Sequence, residues 1–301
     1  MLRIGWRGRI IILALVFLVL LIIGRLILPV SEPEVSLPAE KVFTIAGFDI
    51  TNTMLAAWLT ILVLGGLGYA ATRKMKLVPR GLQNVVEAAI ESLLNFVEGA
   101  AGKEYGRKFF PVIATIFLFV IANAWLALIP GFISIGFWRT GEEGQYIEPL
   151  FRGANTDINF PLALAVISFV FVEYWGVRSQ GFSRYVRKFF NLRQLFRGIG
   201  QLVKGKIRSG LSGFFTGVID AFAGFIEIIS EFARIISFTF RLFGNMTAGE
   251  LLLLVVVFLI PWAAAIPFYG LELFLGFVQA LIFGGLTLAF VVIAVSPREE
   301  H

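Results

Sequence analysis

Six long apolar segments, over residues 10–28, 54–71, 109–129, 158–177, 216–259 and 267–295, are separated by more polar stretches in this 301-residue chain. About 20 apolar residues are needed to cross the ~30 Å hydrocarbon core of a bilayer as a helix. The pattern therefore predicts an all-α polytopic membrane protein with about six hydrophobic helices. Residues 81–101 follow another rhythm. There Glu87, Glu91 and Glu98 fall roughly on one helical face, against Val85, Leu93, Leu94 and Phe96, which predicts an amphipathic surface helix instead of a span. The fifth segment holds no proline from 216 to 259, and at 1.5 Å per residue it makes a helix of roughly 66 Å. Such a helix must incline, break or project into water, and apolar residues throughout favour steep inclination. The sixth, at roughly 43 Å, also tilts.

The first segment follows Arg3, Arg7 and Arg9, a pattern shared by cleavable signals and retained anchors. No clear small-x-small cleavage site follows it, which favours an anchor. Residues 29–40, with their prolines and glutamates, read as an exposed linker. The chain is accordingly divided into an N-terminal anchor or signal-like segment with its linker, 1–40, and one membrane domain, 41–301.

Charge sets the expected orientation. The net charge of +6 lies mainly in short loops, where it reports topology by the positive-inside rule. The N-terminus, the 73–80 and 103–108 clusters and the 178–208 loop fall on the cytoplasmic side. That last loop carries nine Lys and Arg and no acidic residue; a topogenic role suffices for it, with contact to anionic lipid headgroups the functional alternative. The 29–53 and 131–157 loops, richer in acid, fall outside, and six crossings return the C-terminus to the cytoplasm. Nothing in the chain calls for nucleic acid. The absence of cysteine excludes disulfides, thiolate metal sites and cysteine nucleophiles. The single histidine, His301, reads as a solvated tail residue.

Polar residues inside the apolar segments are the candidate chemistry. Arg241 lies well within the fifth segment, and a guanidinium at the bilayer centre costs at least ~2.5–3.5 kcal/mol without the option of losing its proton. On an ideal helix Asn245, Glu227 and Arg234 share the stripe of Arg241, and Glu231 lies at the edge of that stripe. Glu250 falls on the opposite side of the same helix. On the sixth segment Glu272 and Gln279 are seven apart and share a face. The chain direction puts Glu227 and Glu231 towards the inside, Arg241 mid-way and Glu250 and Glu272 towards the outside, with Gln279 near the depth of Arg241. Two offset polar half-paths separated by a fixed cation is the arrangement this suggests. A buried ion-pair network, Glu227–Glu231–Arg234–Arg241, that merely holds helices together is the plainer alternative, but it leaves Glu250, Glu272 and Gln279 without a role.

At these residues the chain resembles the a subunit of F-type ATP synthases. The stretch Arg241-Leu242-Phe243-Gly244-Asn245-Met246-Thr247-Ala248-Gly249-Glu250 is similar to that family's hallmark sequence. Gln279-Ala280-Leu281-Ile282-Phe283 resembles its last-helix motif, and Asn155-Thr156-Asp157-Ile158-Asn159 another family element. The resemblance covers roughly 45–296. It implies that Arg241 faces a rotor ring of c subunits, that Asn245, Glu250, Glu272 and Gln279 line an outer proton half-channel, and that Glu227 belongs to the inner one, with Glu231, Arg234 and Asp157 as secondary candidates. It further implies b subunits of the peripheral stalk as partners, a bacterial inner membrane, no cofactor and no bond chemistry of its own. The extra N-terminal apolar segment and the long basic 178–208 loop depart from the simplest bacterial members. Having Glu at both 250 and 272 also leaves the roles of that pair open. The competing classes are a secondary transporter or antiporter, against which no internal repeat is visible, and a membrane scaffold with structural ion pairs.

Overall fold

The computed structural model of the chain describes residues 38–141, 144–189, 193–203, 207–259 and 265–296, together with Leu15, Val16 and Val19. The first apolar segment and His301 thus lie almost wholly outside the described residues. Five helices are long and apolar enough to span a membrane: α1 (Asn52–Thr72), α2 (Leu82–Ala127), α3 (Asn159–Gln180), α6 (Ile207–Leu259) and α7 (Ala265–Val295). The protein is an all-α polytopic membrane protein, and its spans end within a few residues of the hydropathy boundaries at most ends. In such a chain an exposed Phe or Ile faces lipid or another subunit and carries no solvation penalty.

The amphipathic segment and the third span join in α2, but the join is a break. Gly102 sits at φ 74°, ψ 163°, a conformation essentially restricted to glycine. The chain folds back so closely that a side chain at Gly106 would meet the Glu98 backbone. Two helical pieces therefore follow one another, as the change of rhythm predicts. The buried stripe of the first piece is Leu93 and Val97, four apart, whereas Val85 and Phe96 are exposed. The expected apolar face is thus rotated towards Val97, which is where the helix meets its neighbours.

By contrast, α6 is 53 residues long with no break in its helical backbone, about 80 Å at 1.5 Å per residue. It begins nine residues before the expected start because 207–215 continue the same helix. Residues 178–208, which read as loop, contain two short helices, α4 (Phe182–Phe189) and α5 (Arg193–Val203). The basic residues between their apolar positions mask the periodicity. Two antiparallel hairpins are equally illegible in the sequence. β1 (Lys41–Ile45) pairs with β2 (Phe48–Thr51) through Ala46 and Gly47, both at positive φ, as a two-residue turn requires. An exposed Lys41–Asp49 ion pair closes that hairpin. β3 (Gly136–Gly141) pairs with β4 (Gly144–Pro149).

The described chain forms two compact units that interleave in sequence. The first gathers residues up to 66 with 119–157 and 243–280; the second gathers 67–118, 158–242 and 281 onward. The first unit has a polar interior. Asn123 donates to Thr60 at 2.9 Å and accepts from the Asn155 backbone at 3.3 Å. Asn52 donates to the Pro149 carbonyl at 3.3 Å. All four polar residues are almost fully buried, so these bonds satisfy groups that would otherwise be expensive inside a membrane protein. Gly276 packs on Ala124, and Trp125 donates to the Leu273 carbonyl at 3.0 Å; a small residue here lets α2 and α7 approach.

The second unit has an apolar core of Val97, Phe109, Ile113, Val172, Leu288 and Val291. Phe109 sits among Tyr105, Phe171 and Trp175, with ring centroids 5.2–5.9 Å away, in the offset and edge-on arrangements aromatic rings prefer. Ser168 and Thr287 share a buried hydrogen bond of 2.7 Å. Gly181, at φ 81° and ψ 144°, ends α3 in a conformation open essentially to glycine and donates to the Val177 carbonyl.

Candidate functional site

In the second unit α6 presents two arginines seven residues apart, and their surroundings differ completely. Arg234 is held by Glu231 through two contacts, 2.8 Å from Nη1 and 3.2 Å from Nη2, and its guanidinium lies 3.9 Å from the centre of the Phe290 ring. Glu231 is 4% exposed. This is a bidentate, ring-stacked arginine whose donors are spent on structure. Arg241 is exposed on the helix and makes no hydrogen bond or ion pair among the described residues. It borders an open cleft of about 290 Å³ whose wall includes Ser230, Ala233, Arg234, Ser237 and Phe290. Helical geometry alone puts both arginines on one stripe. Only the three-dimensional arrangement separates a locked cation from a free one. The proposed ion-pair ladder therefore exists between Glu231 and Arg234 and does not extend to Arg241.

Glu227 is half-buried, two turns before Arg234 on the same helix. Beside Glu231 the unit carries another acidic group, at the end of α3. The Tyr185 hydroxyl on α4 donates to Glu173 Oε2 at 2.7 Å, and the ring fills the notch left by Gly176, where any side chain would overlap it. Burial first, then the Glu173 carboxylate, push the Tyr185 hydroxyl far above the usual phenol range, so it stays a neutral donor. Glu173 is visible in the sequence as a charge near a span end. Its partner Tyr185 is hidden in a segment that reads as loop.

The first unit holds the other candidates. Glu250, near the end of α6, faces Arg152: Nε of Arg152 lies 3.0 Å from Oε1 and 3.2 Å from Oε2, with both side chains largely buried. Arg152 also donates to the Pro38 carbonyl at 3.3 Å. Sequence reasoning misses Arg152; the only signal is a cation in a mainly acidic loop, just before the Asn155–Asp157 element. Glu272 on α7 is 6% exposed and its carboxylate lies over Gly249, where even a methyl group would overlap it. Glu272 therefore lies against the residue next to Glu250, where α6 and α7 touch. Gln279 is buried on α7 as Glu272 is, and Asn245 is exposed on α6. Asp157 follows the 3₁₀ turn Ala154–Thr156 and accepts from Thr53 Oγ1 at 3.0 Å, which ties that turn to the start of α1.

Fold and site together define a multi-pass membrane protein with ionisable side chains inside its spanning helices, among them Arg241, which makes no ion pair among the described residues. The ATP synthase A chain family model matches residues 54–292. Subunit a of the Helicobacter pylori ATP synthase (strain P12) is 32% identical over 266 residues, covering 87% of this chain and 99% of the relative. The Gloeobacter violaceus subunit a is 32% identical over 250 residues, 83% of this chain and 86% of the relative. That of Campylobacter jejuni is 33% identical over 232 residues, 77% and 84% respectively. The chain belongs to the ATP synthase A chain family, the a subunits of F-type ATP synthases, and so to a membrane complex of several subunits.

Proposed function

We propose that this chain is the proton-conducting stator subunit of its ATP synthase, supplying two offset half-channels against a ring of c subunits. The observation that carries the reading is Arg241: an arginine within a spanning helix, exposed on α6 and free of protein partners among the described residues. An intramembrane cation with that cost and no internal partner is best explained by a partner outside the chain. A c-subunit carboxylate fits it. Such a group turns through lipid only when neutral and ionises when it meets Arg241, which favours its charged form. Arg241 cannot pass the proton on and so separates the two paths. Protons arriving by Glu250, Glu272, Asn245 and Gln279 must then ride the ring before leaving by Glu227, with Glu231 and Arg234 shaping the inner path and Asp157 the outer mouth.

On this reading the subunit performs no bond chemistry and needs no cofactor. Its partners are the c ring, the b subunits of the peripheral stalk and membrane lipid, with no nucleic acid. It resides in a bacterial inner membrane with both termini cytoplasmic, residues 1–40 forming the N-terminal anchor or signal-like segment with its linker and 41–301 the working domain. The test is the assembled complex in vesicles. Arg241→Ala should abolish ATP synthesis and open a passive proton leak. Arg241→Lys should also fail, because lysine differs in reach and can lose its proton in a low-dielectric site. Normal coupled synthesis by an assembled Arg241→Ala complex would overturn the proposal.

A further inference from the structure

In the second unit, two helices bring a cation each onto one aromatic platform. Tyr105 and Lys108 lie just after the Gly102 break, where the second piece of α2 begins. Tyr174, Trp175 and Arg178 belong to the last two turns of α3. Tyr105 meets Trp175 edge to face with ring centres 6.4 Å apart, and Tyr174 meets Trp175 in the same way at 5.7 Å. The Arg178 guanidinium lies 5.7 Å from the centre of the Trp175 ring, and the Lys108 ammonium 5.3 Å from that of Tyr105, both within cation–π range. Arg178 is exposed, donates to the Tyr174 hydroxyl at 2.9 Å and makes no ion pair among the described residues. Lys108 is paired with Glu104 at 2.8 Å, but the two side chains are 45% and 79% exposed, and an exposed pair holds its members weakly. The proton path proposed above uses none of these side chains.

We propose that Arg178 and Lys108 bind the phosphate of an anionic phospholipid, in the leaflet where α2 enters the membrane and α3 leaves it. The charge reading makes that the cytoplasmic leaflet. Exposed tyrosine and tryptophan at the end of a span mark headgroup depth, and basic side chains held at that depth attract anionic lipid. The same rings argue for a lipid over a soluble anion, because they offer apolar surface to the chain below the phosphate. Tyr174 and Trp175 hold the Arg178 fork in place, so little ordering remains to be done when the phosphate arrives. Glu104 competes with the phosphate for Lys108 and so sets the occupancy. The site is independent of the proton-conducting reading.

The experiment places the assembled complex in phosphatidylcholine vesicles carrying a trace of photoactivatable phosphatidylglycerol or, in parallel, photoactivatable phosphatidylcholine. Lipid cross-linked to the stretches 105–108 and 174–180 is then measured by mass spectrometry, with co-purification of the c ring as the control for assembly. The parent should take phosphatidylglycerol at least about fivefold over phosphatidylcholine. Arg178→Gln should remove most of that preference, and the Lys108→Gln/Arg178→Gln double variant all of it. Arg178→Lys, which keeps the charge and loses the fork, should fall between Arg178→Gln and the parent. Glu104→Gln should raise labelling by phosphatidylglycerol, because it releases Lys108. Equal labelling by the two lipids in the parent overturns the proposal, as does a preference that survives in the double variant. Cross-linking of these stretches to another subunit in place of lipid also overturns it. Loss of the preference when inorganic phosphate is added at constant ionic strength overturns it in favour of a soluble anion. If the double variant does not assemble, Glu104→Gln decides: labelling that stays level or falls excludes the site.

Discussion

At the scale of single residues, Gly249 shows how a hallmark position is used. Its backbone conformation is helical and makes no demand for glycine; the demand comes from space, because the Glu272 carboxylate occupies the volume a methyl group would take. Gly249→Ala should therefore displace Glu272 at a cost of about 1–3 kcal/mol. The measurable outcome is a complex that still assembles, melts a few degrees lower and conducts protons poorly. Unchanged flux in that variant would show that the seat of Glu272 is immaterial. Arg241 and Glu272 can be picked from sequence because an ionisable residue in an apolar run is conspicuous. Arg152 cannot, since a cation in a polar loop is ordinary until the fold buries it beside Glu250.

At the scale of elements, the basic segment after α3 turns out to be built. Tyr185 anchors α4 by filling the Gly176 notch and donating to Glu173. Losing that donor to a half-buried carboxylate costs about 1–3 kcal/mol, so Tyr185→Phe should loosen α4 and raise protease access to 182–189. Because the Tyr185 hydroxyl is raised above its unfolded value, the docking energy is fully present below pH ~10 and lost only as pH rises beyond it. Protease access should thus be flat from pH 6 to 9. An increase in access across that range would rule out this anchor. Spans are legible because twenty apolar residues in a row admit few structures in lipid. The hairpins β1–β2 and β3–β4 and the helices α4 and α5 are not, because short segments outside the bilayer owe their form to tertiary contacts.

At the scale of the whole molecule, charge asymmetry makes the orientation testable without a structure. The absence of cysteine supplies a clean background for thiol labelling. Cysteine introduced at position 272 should react with a water-soluble reagent from the outer face, and cysteine at 227 from the cytoplasmic face. A reporter within 190–205 should be cytoplasmic and one within 140–150 external. The reverse pattern at either pair would invert the assignment of the half-channels.

The unbroken backbone of α6 has a consequence for how such a chain can vary over generations. A continuous helix acts as a ruler with fixed graduations. One residue inserted between Glu227 and Arg241 would swing one against the other by about 100° and slide them by ~1.5 Å, with no bend or turn in between to absorb the slip. Substitutions along that stretch are graded in their effect, whereas insertions and deletions are all-or-none. Length change in relatives should accordingly collect in the connections flanking α6 and be absent from 227–241.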